Sequence, residues 1–335
     1  MAMKKFVVRL VLLIVVPILA VLGIYVVTDP FRILKPFSLH YFDTTNRDYL
    51  SSELFIRNYP KYHYDSYVFG SSKCYCINTY HWLKYLPENS RQYMFQAWSE
   101  TLTGIEQKIS YIDEHGLDLN NVLILIDIPD TFSDDQLPTK AKSIKDFRIS
   151  GQPELSYQAT QFWNYLQKPS FWYKSVIREM KGTKPKIHFD TISNDWFGFL
   201  ARVNLDVKPP IDSLSRCSET VRETFLNEIA TKTDADLQES QKLIDDSFER
   251  QLLHIKAIFD KHGTDYEIVI TPAYCYTHPC INRQDLKLLK DIFGEERIFD
   301  YSGKNELTTN CYNFFDPLHF DFSVGWRIIE DIYNR

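Results

Sequence analysis

With 335 residues, 44% of them hydrophobic, the chain is long enough to bury one sizeable globular domain, or one interrupted by a large insertion. A formal net charge of −6 leaves no basic footprint and argues against a nucleic-acid partner. The aromatic share is high at 15%, with 21 Tyr and 23 Phe. Most of these rings are expected in the core, with some left to line a groove for sugars, whose apolar C–H faces stack on rings.

Leu10 to Val27 is an unbroken apolar run preceded by Lys4, Lys5 and Arg9. A run of roughly 18 apolar residues is enough to span a bilayer. A cleavable signal would have a shorter apolar region and a small-x-small cleavage site, and no such site stands near the end of this run. No lipobox cysteine follows it either. The expectation is an uncleaved single-pass anchor over 1–27, with Pro17 and Gly23 tolerated inside it. The basic tip stays in the cytoplasm by the positive-inside rule, so everything after Thr28 lies outside. Asp29-Pro-Phe31 ends the helix, because proline disfavours the α conformation of the residue before it. Residues 28–63 are polar and aromatic with no strong period and are predicted to form an extended juxtamembrane arm, with Arg57 and Lys61 solvated.

Tyr64-Asp-Ser-Tyr-Val-Phe-Gly-Ser-Ser-Lys73 reads as a short buried strand, Ser66 to Phe69, ending in a tight turn at Gly70-Ser71-Ser72. Glycine permits the turn because it has no Cβ. Ser72 then stands where the next helix begins, and unpaired backbone N–H groups there stabilise negative charge. A hydroxyl at the end of a strand is how several hydrolase folds hold a nucleophile. The plainer reading of the same residues is a loop or a helix cap. Ser71 is expected to aim its side chain elsewhere and to matter only if it shapes the turn.

Arg91 to Ala97 is a second predicted strand, and a helix follows over Thr101 to His115, capped by Ser99 or Thr101. Asn121 to Asp127 is the clearest strand, continuously apolar and rich in isoleucine, as suits a parallel strand buried on both faces. Residues 133–236 break the alternation. They carry a helical patch at Glu154 to Gln167, Trp163, Trp172 and Trp196, and proline breaks at Lys184-Pro-Lys186 and Lys208-Pro-Pro210. They are predicted to form an insertion that covers or flanks the site.

The alternation resumes over 237–335. Leu237 to His262 is a long amphipathic helix stopped by Gly263; Tyr266 to Pro272 is a strand; Gln284 to Phe293 is a helix; Arg297 to Asp300 is a short strand. Ser323 is predicted to cap the last helix, with Trp326, Ile328, Ile329 and Ile332 facing the sheet. Just before that helix, Asn313-Phe-Phe-Asp316-Pro-Leu-His319 places a carboxylate three residues from an imidazole in a proline-containing loop. A serine nucleophile needs such a base, and the base needs a carboxylate to fix its tautomer. The plain alternative is a capping Asp beside a surface His. Strands alternating with helices predict a parallel sheet covered on both faces. Both loops then leave carboxyl ends of strands, where such folds bind ligands.

Taken together, the Gly-Ser-Ser turn and the Asp-x-x-His loop resemble the SGNH (GDSL-like) hydrolase superfamily, and more closely its membrane-anchored bacterial branch, in which Gly-Ser-Ser replaces Gly-Asp-Ser. The likeness covers roughly Asp65 to Phe132 and Leu252 to the end, about half the chain, through short motifs. It implies a flavodoxin-like parallel sheet in a three-layer sandwich, divided here between 64–132 and 237–335. It implies Ser72 as nucleophile, His319 as base and Asp316 as its orienter. The family's second motif falls at Ser99, whose N–H joins the oxyanion hole, although Phe95 stands where many relatives have Asn. Trp98 beside it is grouped with the substrate-binding residues. The superfamily often places an oxyanion-hole Asn after the third strand, where this chain has Asp127 and Asp130. A carboxylate cannot donate unless protonated, so Asp127 is expected to bind substrate hydroxyls or to hold the Ser72 loop.

The resemblance implies a serine esterase or O-acyltransferase of the bacterial cytoplasmic membrane, with its domain outside the cytoplasm. It implies acetyl as the acyl group, a cell-surface glycan as substrate or acceptor, and room for a membrane-embedded partner that supplies the acyl group. It implies no nucleotide, metal or organic cofactor. The alternative from another class is a non-catalytic, glycan-binding or scaffolding protein of an envelope assembly, which the missing Asn favours. Six cysteines, at 74, 76, 217, 275, 280 and 311, would meet an oxidising compartment, so at least one disulfide is expected. Cys275 with Cys280, or Cys74 with Cys311, are candidate pairs. Zinc lacks convincing ligand spacing, and Cys74 as nucleophile is the remaining alternative.

Overall fold

The computed structural model describes residues 2–31, 33–35, 47–133, 145–167, 169–181, 190–195 and 219–334. Trp196, Cys217 and both proline breaks of the insertion lie outside them. The strands are β1 (Ser66–Gly70), β2 (Gln92–Gln96), β3 (Asn121–Ile126), β4 (Asp265–Ile270) and β5 (Ile298–Asp300). All pair in parallel, in the order β2-β1-β3-β4-β5, with Val68 beside both Met94 and Leu123. Each falls within one or two residues of its prediction, because a buried parallel strand is a continuous apolar run bounded by turn residues.

Side chains alternate across the sheet. Val122, Ile124 and Ile126 share one core with Tyr67, Phe69 and Phe95, and this core is closed by helices α2 (Arg47–Tyr62), α4 (Leu102–Glu114), α9 (Asp246–His262) and α10 (Arg283–Phe293). Val68, Leu123, Leu125 and Val269 face the other core, closed by the last helix, α11 (Phe322–Tyr333), and by α3 (Thr79–Trp82). Each fully buried Leu, Ile or Phe contributes roughly 1.5–3 kcal/mol relative to exposure, so the two faces carry most of the stabilisation.

Several expectations are corrected. The region predicted as an extended arm contains α2, whose Leu50, Leu54 and Phe55 are buried against β2, while Arg57 and Lys61 are exposed as expected. The helix expected from Leu237 starts at Asp246, because the Asp245 carboxylate accepts from the N–H groups of Ser247 and Phe248; Gly263, at φ 65°, ends it as predicted. Asp321, not Ser323, caps α11, accepting from the Ser323 N–H at 2.8 Å. Thr101 caps α4. The five cysteines among the described residues are unpaired thiols, so neither proposed disulfide is present.

The insertion contributes α5 (Phe147–Ser150), α6 (Glu154–Leu166), α7 (Pro169–Lys181) and α8 (Glu219–Ile229). None of its described residues lines the cavity beside Ser72. Instead α6 and α7 pack on the carboxyl end of the N-terminal helix α1 (Ala2–Thr28), where Tyr25 meets Phe162 and Tyr165 at 5.3 and 5.1 Å between ring centres. Residues 190–195 reach the open edge of β2: the Met94 N–H donates to the Ser193 carbonyl at 2.8 Å, and the Asn194 side-chain amide donates to the Met94 carbonyl at 2.6 Å. The edge is thereby satisfied. α1 is long and apolar enough to cross a membrane.

One ionic cluster lies inside the first core. Lys108 is completely covered and pairs with Asp48 at 2.9 Å and with Glu100. Burial pushes the Glu100 carboxyl up to about 7 despite the opposing Lys108 charge, with Asp48 adding to the rise.

Candidate active site

The end of β1 forces the geometry of the turn. Gly70 has φ 149°, and a Cβ there would meet Cys74 Sγ and the Leu125 carbonyl, each at 2.9 Å. No other residue fits both the backbone and the space. The chain then turns at Ser71 into a 3-10 helix, Ser72–Cys76, so Ser72 is its first residue. Behind this turn lies a contact that the sequence did not disclose. Lys73 is only 1% exposed, and its ammonium reaches Asp127 Oδ1 at 3.1 Å, Thr271 Oγ1 at 3.0 Å and the Pro272 carbonyl at 3.3 Å. Asp127, 3% exposed, also accepts from the hydroxyls of Ser71 and Thr271.

Asp127 therefore holds the Ser72 loop, one of its two expected roles, and is not among the residues that line the cavity beside Ser72. Ser71 shapes the turn, donating to Asp127 while its oxygen accepts from the Lys73 N–H.

The second loop is pinned at its base by a bridge between Phe314 and Phe320, and the Phe315 N–H donates to the His319 carbonyl at 2.8 Å. Tyr274 of the loop after β4 donates its N–H to the Pro317 carbonyl at 2.9 Å. Within this frame Asp316 accepts from the backbone N–H groups of Leu318 and His319 at 2.9 and 2.8 Å, which folds the loop back on itself. The carboxylate also meets His319 Nδ1 at 2.8 Å. Partial burial pushes the Asp316 carboxyl up, but the His319 side chain and the two N–H donors outweigh it and hold the group below the usual carboxylate range. His319 Nε2 then stands 2.8 Å from Ser72 Oγ, across 247 residues of sequence.

The two loops are pressed together by α11. A Cβ on Gly325 would overlap the carbonyl of Cys76, so this helix reaches the Ser72 turn with no room for a side chain. His81 of α3 stacks on Trp326 of α11, ring centres 3.5 Å apart, and extends the same seam.

A cavity of about 500 Å³ opens on these groups, lined by Ser72, Tyr75, Cys76, Trp98, Ser99, Phe315, Asp316, His319 and Phe322. That volume suits a small-molecule or sugar-sized group. Trp98 and Ser99 reach it as expected. Ser99 has φ 48°, a left-handed conformation at the turn between β2 and α4. Among the described residues the structure gives no hydrogen-bond acceptor for the backbone N–H groups of Ser72 and Ser99. Trp98 Nε1 donates to the Tyr75 hydroxyl at 2.8 Å, and the Arg47 guanidinium stands 5.8 Å from the centre of the Tyr75 ring. Sequence reasoning gave no role to Tyr75, Arg47 or Lys73, although Lys73 directly follows the Gly-Ser-Ser turn.

Cys74 cannot serve as nucleophile, because it is fully buried and burial pushes its thiol well above the ordinary range. A second imidazole, His278, feels the charges of Lys73 and Asp316; burial first, then Lys73, lowers its affinity for a proton. No group of three or more metal-ligating side chains occurs among the described residues.

Fold and site together define an α/β domain with a five-stranded parallel sheet that carries a hydroxyl, an imidazole and a carboxylate in hydrogen-bonded series. No family model matches the chain, and no curated protein matches it.

Proposed function

We propose that the protein is a membrane-anchored, extracytoplasmic SGNH-like serine esterase or O-acyltransferase acting on acyl groups, acetyl above all, of a cell-surface glycan. The observation that carries the reading is the unbroken series from Ser72 Oγ through His319 to Asp316, at 2.8 and 2.8 Å. The strand order supports the flavodoxin-like, SGNH-type sandwich, with Ser72 leaving β1 at the point where the order reverses between β1 and β3.

In this reading Ser72 Oγ attacks the acyl carbonyl carbon as its proton passes to His319 Nε2. Negative charge develops on the carbonyl oxygen and is held by the N–H groups of Ser72 and Ser99. The tetrahedral centre collapses, the C–O bond to the leaving alcohol breaks, and His319 returns the proton to that alcohol. Acyl-Ser72 remains. A water or a sugar hydroxyl then attacks it by the same steps in reverse, giving hydrolysis or transfer. Asp316 keeps the Nδ1 proton in place and stabilises the imidazolium. The rings of Tyr75, Trp98, Phe315 and Phe322 offer surfaces on which a sugar can stack. Because Asp127 is engaged with Lys73, the absence of an Asn there does not leave a repelling carboxylate in the cavity.

A fluorophosphonate probe tests the reading. The full chain is expected to label stoichiometrically at Ser72, and labelling should disappear in Ser72→Ala. In His319→Ala it should fall by about 10⁴-fold or more, and combining the two should add little, because the residues act as one unit. Absence of labelling in the folded wild type, or full labelling of Ser72→Ala, would refute the assignment.

A further inference from the structure

The described part of the insertion shows a surface that the chemistry at Ser72 does not use. On α7, Tyr173, Val176, Ile177 and Met180 recur at helical spacing and form one apolar stripe. Such a stripe normally faces a core. Here Tyr173 is 70% and Met180 81% exposed. On α6, Leu155 and Trp163, eight residues apart and on one face, are 85% and 61% exposed. The two helices are tied together where Trp172 Nε1 donates to the Tyr165 carbonyl.

The position of this surface identifies what covers it. Val176 and Met180 share an apolar groove with Ala20, Gly23, Ile24, Val27 and Thr28 of α1. α7 therefore lies alongside the last stretch of the apolar helix, over roughly 12 Å at 1.5 Å per residue. If α1 crosses the membrane, that depth is the boundary between headgroups and acyl chains, and the lipid-facing side of α1, with Ile24, Val26 and Val27 exposed, continues onto the stripe of α7. Lys174 and Lys181 flank the stripe and are exposed, placed to reach phosphate while their stems lie on apolar surface. Aromatic residues and lysines around an apolar face are the composition of a helix lying in a membrane interface. The last turn of α1 is built into the domain: Tyr25, Thr28 and Asp29 are buried, and Asp29 accepts from the N–H groups of Ile33 and Lys35 at 2.9 and 3.0 Å. The domain thus does not hang from a free tether.

We infer that α6 and α7 form a lipid seat, lying in the outer leaflet of the bilayer that α1 crosses, with Trp163, Tyr173 and Met180 inserted among the acyl chains. The occupant of the exposed stripe is lipid. The inference rests on α1 as a membrane anchor and is independent of the catalytic reading.

The test uses the full chain in vesicles of phosphatidylethanolamine and phosphatidylglycerol doped with a phospholipid bearing a photoactivatable diazirine on its acyl chain. After irradiation and digestion, lipid adducts are mapped by mass spectrometry. Adducts are expected on Glu154–Leu166 and Pro169–Lys181 as well as on α1, and none on Asp246–His262. In Tyr173→Glu/Met180→Glu, adducts on α7 should be lost while those on α1 persist. Adducts confined to α1 in the wild type would overturn the seat alone. Chain-to-chain crosslinks at α7 in place of lipid adducts would overturn it in favour of a second copy. Absence of adducts on α1 as well would overturn the anchor and the seat together.

Discussion

Removing the ammonium beneath the Ser72 turn is the most informative perturbation of the site. In Lys73→Met the side-chain volume is nearly kept, but Asp127, 3% exposed, loses its ion-pair partner at 3.1 Å and keeps the hydroxyls of Ser71 and Thr271. Stripping one member from a buried pair costs about 3–5 kcal/mol, because the other charge is left uncompensated. With a urea slope of about 3 kcal/mol per molar for a domain of this size, the unfolding midpoint should fall by about 1–1.7 M. Asp127→Asn should cost a similar amount, by leaving Lys73 unpaired. In the double variant Lys73→Met/Asp127→Asn no charge is stranded: Ser71 and Thr271 meet different oxygens of Asp127, so the new amide oxygen can accept from one hydroxyl while the amide N–H donates to the other. Its loss should be smaller than that of either single variant, a coupling of about 2 kcal/mol or more between the two positions. The assay is urea unfolding of the full chain in detergent, followed by tryptophan fluorescence, alongside the rate of fluorophosphonate labelling. Strictly additive losses would show that Lys73 and Asp127 do not act as a pair and would remove the account of how the turn is held.

Two further outcomes follow from features away from the reacting atoms. Gly325→Ala should push α11 off the Cys76 carbonyl; overpacking of this kind costs about 1–3 kcal/mol, more than the roughly 1 kcal/mol that alanine gains in a helix, and labelling should slow by about 100-fold for a displacement near 1 Å. An unchanged labelling rate would mean that the helix does not set the Ser72–His319 distance. For Glu100, raised to about 7 from 4.5, the folded chain holds the proton more tightly than the unfolded chain, so its contribution to stability is complete below about 4.5 and is lost as pH rises through about 7. Glu100→Gln should therefore flatten the melting temperature between pH 5 and 8, and a wild-type-like slope in that variant would assign the effect to another group.

The parts of the site legible in the sequence are those fixed by local pattern. Gly70 and the apolar run before it set the turn, and Asp316 and His319 lie close enough in sequence for one loop to join them. The strands were legible for the same reason. What escaped is set by contacts between distant segments. Lysine is among the residues least often buried, so nothing near Lys73 announces that its partner is Asp127 or that Thr271 completes the cage. Gly325 reads as an ordinary weak helix residue until the Cys76 carbonyl is seen against it. The helix Arg47–Tyr62 was missed because Arg47 and Asp48 are themselves buried, which blurs the apolar period, and because Pro60 stands in its last turn. The disulfide expectation came from compartment and an even cysteine count, whereas Cys74 and Cys76 are buried thiols in the second core, Cys74 beside Gly70.

The joining of Ser72 to His319 across 247 residues also has a bearing on timing. As the chain is made from its N-terminus, the hydroxyl and its turn are synthesised well before the imidazole, which comes just ahead of α11. Until that helix docks at Gly325, the serine is an ordinary alcohol with no proton acceptor beside it. Synthesis of Ser72 thus precedes its contact with His319, which waits on the docking of α11 against the Cys76 carbonyl.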